Sequence, residues 1–333
     1  MKKLLWLLPV LFMLSCEKIV SPSTKPDDPV AIFDELWKTL NEGYSFFDYK
    51  GVNWDSVYTV YRPQVHVGMT DRELYEVSVA MLNTLRDGHI NLRTGFARSY
   101  YNYYADYPPN FNREILERNY WRGFEITGPL IHTIIDSVGY IYYRSFASNF
   151  SDEQLDVVLQ RFNDYPGIQG VVIDVRNNEG GNPENAYRFL RRVATERTLI
   201  YRTQYKDGPA HNEFTELEES YIDPNDKVAF PGKVVVLTNR TCYSACNFFA
   251  ASVKAFSQVT VIGDTTGGGG GQPVGHEFPN GWAVNFSGSI TYMPDGFIIE
   301  HGVPPHKYVA LLPADEALGI DTILEYAIAF IRQ

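Results

Sequence analysis

A serine at the start of a predicted helix is the residue of this chain whose position best suits nucleophilic chemistry. Ser244 follows the apolar segment GKVVVLTN and opens the segment SACNFFAASVKAF, so a buried strand ends and a helix begins beside it. The N–H of the next residue, Ala245, points into the same space near the positive helix end and can stabilise an oxyanion. The alternative is that Ser244 only caps the helix, and the turn by itself favours that alternative.

Two glycine-rich turns follow two other predicted strands. Gly180 and Gly181 come after the buried strand GIQGVVIDVRN, and adjacent glycines let backbone N–H groups approach a ligand closely. Their spacing matches neither a P-loop nor a dinucleotide-binding fingerprint. The five glycines at 267–271 predict either a floppy surface hairpin or a mobile rim over a cleft. Because ligands bind at the carboxyl ends of strands in open α/β sheets, these turns are candidate site elements.

A serine nucleophile needs a base, and the chain contains seven histidines. His89 lies in LRDGHINL, where a predicted helical region meets predicted strands, which is a natural position for a cleft. An imidazole base needs a carboxylate that fixes its tautomer and stabilises the imidazolium. Glu300 ends a predicted apolar strand, GFIIE, where an acid is more often solvated than catalytic.

Residues 30–92 are predicted to form a small N-terminal helical domain. Three segments have apolar residues at helical spacing, beginning with VAIFDELWKTL, and Asp71 is the predicted N-cap of the third. The dipeptide Asp87-Gly88 ends this region as a helix stop, directly before His89.

The rest of the chain divides into a connecting loop and a larger core. Residues 93–129 form a Tyr-rich connecting loop, interpreted as an aromatic surface loop, with a substrate platform as the alternative. Residues 130–333 alternate buried strands with helices, one of which has a capping box of Ser151 and Gln154. This alternation predicts a mainly parallel, layered α/β sheet.

The N-terminus has the order of an export signal. Two lysines precede an apolar run that is too short to span a bilayer and that ends at Ser15, directly before Cys16. We expect residues 1–15 to be a signal peptide and 16–29 a tether lipidated at Cys16, which resembles the lipobox of bacterial lipoproteins. The protein is then exported and anchored to a bacterial membrane, the outer membrane being expected, facing the periplasm or the cell surface. The alternative is a plain secretory signal in which Cys16 has no role.

Charge and cysteine content exclude some classes of function. The net charge of −11 argues against a nucleic-acid partner, which needs a basic surface. Cys242 and Cys246 flank the proposed nucleophile across a tight turn, where disulfide geometry is difficult, so we expect two buried thiols. Neither cysteine has metal-site spacing.

Six segments in fixed order resemble the C-terminal processing peptidases and the tricorn-like serine peptidases. They are LRDGHINL, VGYIYYRSF, VVIDVRNNEGGN, VVVLTNRTCYSACNFFAA, VIGDTTGGG and PDGFIIEHGVPP. The resemblance implies a layered ClpP/crotonase-like α/β core after a small helical domain. It also implies a peptide or unfolded-protein substrate and a mechanism that needs no metal and no cofactor.

The resemblance also implies roles for single residues. Ser244 is implied as the nucleophile, and Ala245 with Gly180 or Gly181 as the oxyanion hole. The processing branch places a lysine base at the position of Gly269, so a Ser-Lys dyad is not supported. The tricorn-like branch implies His89 as base, oriented by Glu300.

Three departures from the family pattern keep another function open. Gly88 replaces a hydroxyl residue before the histidine, and His306 replaces an aspartate. Only about fifty residues separate His89 from Gly139, too few for the peptide-binding PDZ domain of many relatives. The alternatives are a catalytically inactive ligand- or peptide-binding protein on the same fold, and a surface module that binds glycan through its Tyr-rich loop.

Overall fold

The computed structural model describes residues 28–333. The predicted signal peptide, Cys16 and almost all of the tether lie outside the described residues. The α-helices are α1 (Pro29–Gly43), α2 (Phe47–Lys50), α3 (Trp54–Tyr61), α4 (Asp71–Asn83), α5 (Arg113–Ile115), α6 (Asp152–Asn163), α7 (Pro183–Val193), α8 (Ala245–Val253), α9 (Pro313–Ala317) and α10 (Thr322–Ile331). The strands are β1 (Asn91–Arg93), β2 (Glu125–Thr127), β3 (Leu130–Ile135), β4 (Val138–Tyr142), β5 (Gly170–Asp174), β6 (Thr198–Tyr205), β7 (Glu218–Ile222), β8 (Lys233–Thr238), β9 (Val259–Gly263), β10 (Pro273–Glu277), β11 (Ala283–Ser287), β12 (Ser289–Tyr292) and β13 (Lys307–Tyr308).

A seven-stranded sheet in the order β13-β9-β8-β5-β4-β3-β2 forms the middle layer. The strands from β13 to β4 in this order are parallel. Strand β3 runs antiparallel to β4, and β2 runs antiparallel to β3. Side chains of β5 alternate between faces: Val171 and Ile173 pack with α6–α8, whereas Val172 packs with α10. Helices therefore cover both faces, which confirms the prediction of a mainly parallel, layered α/β core.

The N-terminal helices share a hydrophobic core with a hairpin from the far end of the chain. Residues of α1–α4 form one buried cluster with Trp282, Val284 and Phe286, which belong to or adjoin β11. Strands β1, β11 and β10 form a small sheet beside these helices. Residues 30–92 contain most of α1, all of α2–α4 and the start of β1, and the core of these helices is completed by residues about two hundred positions later.

Several local predictions are confirmed and others are wrong. The Ser151–Gln154 capping box is present, whereas the N-cap of α4 is Thr70 rather than Asp71, because Thr70 exchanges hydrogen bonds with Glu73. The segment GFIIE ends in a 3₁₀ turn, Ile299–His301, instead of a strand.

Two regions predicted to be loose are partly ordered. The Tyr-rich region contains α5, a π-helical turn at Leu116–Tyr120 and β2. Residues 268–271 are buried rather than a mobile rim or a floppy hairpin. Within residues 28–333, no helix has the length and apolar character needed to cross a bilayer.

Candidate active site

Ser244 stands in a strained turn between β8 and α8. Its backbone has φ 53° and ψ −120°, a conformation that a residue with a side chain adopts only when its surroundings enforce it. The Ser244 N–H donates to the carbonyl of Gly268 at 3.0 Å, and this bond helps to hold the turn. The side chain makes no capping hydrogen bond, so the interpretation of Ser244 as a simple helix cap is wrong.

Two free backbone N–H groups lie beside Ser244. Among residues 28–333, neither the N–H of Ala245 nor that of Gly181 donates to a protein acceptor, and both residues line one cavity with Ser244. The Gly180 N–H, in contrast, donates to Asn178 Oδ1 at 2.9 Å. Of the two glycines predicted for an oxyanion hole, Gly181 has the available donor.

Gly180 is needed for close approach. A Cβ added there would lie 2.5 Å from the carbonyl oxygen of Tyr243 and 2.9 Å from the nitrogen of Ala245, and its φ is +94°. Only glycine lets this turn and the Ser244 turn come so close together. Gly180 therefore acts as a spacer that brings Gly181 next to the serine.

Buried polar groups fix the glycine turn from behind. Asn178 donates to the carbonyl of Tyr143 at 2.9 Å while its Oδ1 accepts from Gly180. Arg176 is fully buried and forms ion pairs of 2.7 Å with Asp174 and 2.9 Å with Asp321. Through these contacts, Arg176 and Asn178 support the loop that carries Gly180 and Gly181.

The two cysteines that flank Ser244 are separate thiols. Cys242 and Cys246 are both free and buried, which confirms the expectation. The Cys242 Sγ lies 3.0 Å from the carbonyl oxygen of Val175 and so joins the two turns. Burial raises the pKa of the Cys246 thiol, which keeps it protonated.

His89 lines a second cavity, of about 500 Å³, together with Ser244. Its Nε2 is shielded from solvent and makes no hydrogen bond within the described part of the chain, so Ser244 and His89 are not directly bonded in this state. Its Nδ1 lies 3.5 Å from Ser287 Oγ, which donates its own proton to Asp87 at 3.0 Å. Because that hydroxyl can then only accept, the proton of a neutral His89 belongs on Nδ1, and Nε2 carries the lone pair.

Asp87 collects hydrogen bonds from several elements. It accepts from the Tyr44 hydroxyl at 3.0 Å, from the Tyr243 hydroxyl at 3.2 Å and from the His89 N–H at 2.8 Å, in addition to Ser287. Burial opposes its charge, but Lys50, His89 and these donors outweigh burial and lower the pKa of Asp87. Asp87 is therefore a carboxylate held next to the imidazole.

Glu300 is buried but is bonded to other groups. Its carboxylate pairs with Lys50 at 2.6 Å and accepts the Gly270 N–H at 2.8 Å, and no hydrogen bond within residues 28–333 joins it to His89. Burial raises the pKa of Glu300 to about 7, with Asp87 adding to the rise and Lys50 opposing it. In this geometry Glu300 does not orient His89. The Glu300 carboxylate is paired with Lys50, and the imidazole lies next to Ser287, which is hydrogen-bonded to Asp87.

Comparison with known proteins identifies the family. The model of peptidase family S41 matches residues 137–309, just over half of the 333-residue chain. The chain belongs to peptidase family S41. The model of the tricorn protease C1 domain matches residues 26–83, the segment that contains α1–α4.

Relatives and solved structures agree with this membership. The carboxy-terminal processing protease CtpA of Bacillus subtilis is 27% identical over 173 residues, 51% of this chain and 34% of that protein. The chain spans about a third of the length of the curated relatives it matches. The crystal structure of a candidate peptidase from Parabacteroides merdae is 39% identical, with a TM-score of 0.86 over 92% of this chain and 97% of the other. The photosystem II D1 C-terminal processing protease shares the fold, at 17% identity and a TM-score of 0.56 over 88% and 96% of the two chains.

Two glycines, Gly88 and Gly269, stand where the family pattern has a hydroxyl residue and a lysine, and the structure shows why larger side chains are unfavourable there. A Cβ on Gly88 would lie 2.7 Å from the ring of Tyr103 and 3.0 Å from the hydroxyl of Tyr243, so a hydroxyl residue before His89 would require these rings to shift. A Cβ on Gly269 would lie 2.5 Å from the Tyr243 ring, so a lysine there would require a shift as well. Tyr243 thus crowds both positions, together with Tyr103 at Gly88, and it also donates to Asp87.

His306, which replaces the aspartate of the family pattern, has a structural role. Its backbone N–H donates to the carbonyl of Val261 at 2.8 Å, and its Nδ1 accepts the N–H of Val261 at 2.9 Å. These bonds attach the chain before β13 to β9 at the sheet edge.

An apolar cavity of about 280 Å³ opens on the oxyanion side of Ser244. Its walls come from α7, β6, α8 and the start of β10. They include the side chains of Ala186, Tyr187, Leu190, Tyr201 and Phe248. A cavity of this composition is suited to an apolar side chain.

Proposed function

We propose that this S41 chain hydrolyses peptide bonds through an acyl-enzyme on Ser244. The observation that carries the proposal is one arrangement of groups around two cavities that both border Ser244. Within the described residues it combines a strained serine, two N–H groups without an acceptor at Gly181 and Ala245, and an imidazole nitrogen of His89 without a partner. These are the parts that acyl transfer requires.

The chemistry follows from the roles of these atoms. His89 Nε2 removes the proton from Ser244 Oγ as that oxygen bonds to the peptide carbonyl carbon. The resulting oxyanion accepts from the N–H groups of Gly181 and Ala245, each donor contributing roughly 3 kcal/mol to the transition state. The imidazolium then protonates the leaving amine, and a water molecule, deprotonated by His89, hydrolyses the acyl-enzyme.

We infer that Asp87 and Ser287 position the base. Asp87 accepts a hydrogen bond from the Ser287 hydroxyl, and the Ser287 oxygen accepts one from His89 Nδ1. These two hydrogen bonds in series stabilise the imidazolium, and Asp87 does not need to take a proton.

The substrate class follows from the cavities beside the serine. The apolar cavity next to Gly181 and Ala245 is placed for the side chain on the acyl side of the scissile bond. The cavity that contains His89 is placed for the leaving group, because the imidazole must reach the amine. A peptide or unfolded protein with an apolar residue before the cleaved bond fits this arrangement.

Ser244→Ala tests the proposal directly. Wild-type protein is expected to fragment an unfolded protein and to be labelled by a serine-reactive phosphonate, whereas the variant does neither. Ser78→Ala is the matched control, because Ser78 is a buried serine without a hydrogen-bond partner in the described chain. If wild type releases no more fragments than Ser244→Ala and is not labelled, the chain is an inactive binding protein on this fold.

For the N-terminus we propose export and lipidation at Cys16, on the order of basic, apolar and small residues before that cysteine. Expression with a labelled fatty acid is expected to label wild type and not Cys16→Ser. Equal labelling of the two proteins contradicts the proposal.

A further inference from the structure

A buried lysine from the N-terminal helices reaches the proposed hydrolytic site, and the mechanism above does not use it. Lys50 is the last residue of α2, and only 5% of its side chain is exposed. Its Nζ lies 2.6 Å from Glu300 and 3.8 Å from Asp87. It also donates to the carbonyl oxygens of Leu85 at 3.1 Å and Arg86 at 3.4 Å.

These contacts span the segment that carries the base. Leu85 and Arg86 directly precede Asp87, and His89 follows two residues later. Arg86 has φ 48°, so this segment turns sharply where Lys50 holds it. The ammonium therefore contacts both the backbone that positions His89 and the carboxylate bonded to the glycine loop.

The charge balance of the cluster also depends on Lys50. Two buried carboxylates, Glu300 and Asp87, lie within 4 Å of its Nζ. Without the ammonium, two like charges would share a buried site, and one of them would take up a proton. A carboxyl proton there would compete for the hydrogen bonds that now orient His89.

We propose that Lys50 is a positioning residue of the hydrolytic site, which pairs with Glu300 and holds the 85–87 backbone so that Asp87 alone serves His89. This proposal rests on the proposed function of Ser244 and His89. On this proposal Glu300 has a structural role: its carboxylate pairs with Lys50 and accepts the N–H of Gly270 in the glycine loop. It also links the N-terminal helices to the chemistry of the core.

The same charge affects the protonation of the base. Burial lowers the pKa of His89, Asp87 opposes this, and the positive charge of Lys50 lowers it further. Other titratable groups also face the cluster of Lys50, Asp87 and Glu300. Tyr44 and Tyr243 donate to Asp87, Tyr49 and Tyr101 lie near Lys50, and His301 follows Glu300 in the chain. Removing the ammonium is therefore expected to raise the pKa of His89 and to leave it protonated at a higher pH.

Lys50→Met tests the proposal, with Lys50→Arg as the control that keeps the charge and the donors. Near pH 6, kcat/KM of Lys50→Met is expected to be about tenfold or more below that of wild type, since a protonated His89 cannot act as base. This difference between variant and wild type should become smaller as the pH rises. Lys50→Arg is expected to retain most of the wild-type profile. A merely structural role would lower activity by the same factor at every pH.

A double variant, Lys50→Met/Glu300→Gln, guards against misfolding because it removes both partners of the buried pair. It is expected to fold and to show the same shift of the acidic limb to higher pH. If Lys50→Met or the double variant folds with an unchanged acidic limb, the proposal is overturned. It is also overturned if neither variant folds, since Lys50 is then a structural residue.

A second readout separates this proposal from the proposed function. NMR titration of the His89 imidazole, assigned with His89→Asn, needs no turnover. If wild type is inactive yet the His89 titration moves to higher pH in Lys50→Met, the proposed function fails while the influence of Lys50 on His89 stands. If wild type is active and the titration does not move, the role of Lys50 fails alone.

Discussion

The hydroxyl of Ser287 allows a decisive test of which carboxylate serves His89. Ser287→Ala removes the acceptor for His89 Nδ1, at 3.5 Å, and the donor to Asp87, at 3.0 Å. A hydrogen bond to a charged group contributes about 1.5–3 kcal/mol, so the loss corresponds to roughly a 10- to 100-fold fall in kcat. KM is expected to change little, because Ser287 lines neither of the two cavities beside Ser244.

Asp87→Asn should have a larger effect for a different reason. An asparagine amide can donate to Ser287, which then turns its own proton toward His89 Nδ1 and places the imidazole proton on Nε2. The base is then in the wrong tautomer, and losses of about 10⁴-fold in kcat are expected for such a change.

The assay is steady-state hydrolysis of a fluorogenic peptide with an apolar residue before the cleaved bond. Thermal denaturation confirms that each variant is folded, and Ser78→Ala provides a buried-serine control away from the site. Retention of more than half of the wild-type kcat by both Ser287→Ala and Asp87→Asn, with complete loss in Glu300→Gln, would refute the assignment. Glu300 would then be the acid that orients His89.

Three further outcomes are expected. Gly269→Lys should not create a Ser-Lys dyad. Its side chain clashes with Tyr243 and its φ is +79°, so the free energy of unfolding should fall by about 1–3 kcal/mol. Denaturant unfolding measures this change, and an unchanged midpoint would contradict the prediction. Because burial lowers the pKa of His89, the base stays neutral below the ordinary histidine range, so the acidic limb of kcat/KM should lie below about pH 6.5; a limb above it would show that His89 is not the base. Ala186→Leu should narrow the apolar cavity and reduce kcat/KM for peptides with a large apolar residue there more than for those with alanine, and an equal effect on both would mean that the cavity does not hold that side chain.

The sequence was sufficient to predict the layered core and the turns at its edge. Buried strands with apolar residues on both faces, such as GVVID in β5, produce a clear pattern, because a parallel sheet covered on both sides leaves no polar alternation. The turn at Ser244 and Ala245 was visible in the sequence, whereas the expected roles of Ser244 as nucleophile and of Ala245 with Gly180 or Gly181 as the oxyanion hole came from resemblance to a family. The strain at Ser244, in contrast, depends on packing against Gly180 and is invisible in a local pattern.

The partners of His89 were harder to predict because they are distant in the chain. Ser287 is 198 residues from His89, and its polar side chain lies in a strand that otherwise packs against helices. Lys50 ends a four-residue helix and looks like an ordinary surface lysine in sequence. Asp87 offered the nearest signal, since it lies two residues before the histidine, but it also resembled a helix stop. Glu300 matched the position implied by the family, and only the presence of Lys50 shows why it is bonded elsewhere.

The shared core of the N-terminal helices and the β10–β11 hairpin has a consequence for when the proposed hydrolytic site is assembled during folding. The base and its lysine belong to the first ninety residues, the nucleophile lies near residue 244, and Ser287 comes later still. Contacts over such sequence separations form late, because closing a long loop must precede them. A nascent or partly unfolded chain therefore holds Ser244, His89 and Ser287 apart from one another. If the proposed function holds, incompletely folded copies of this chain cannot cleave one another before the last strands have docked.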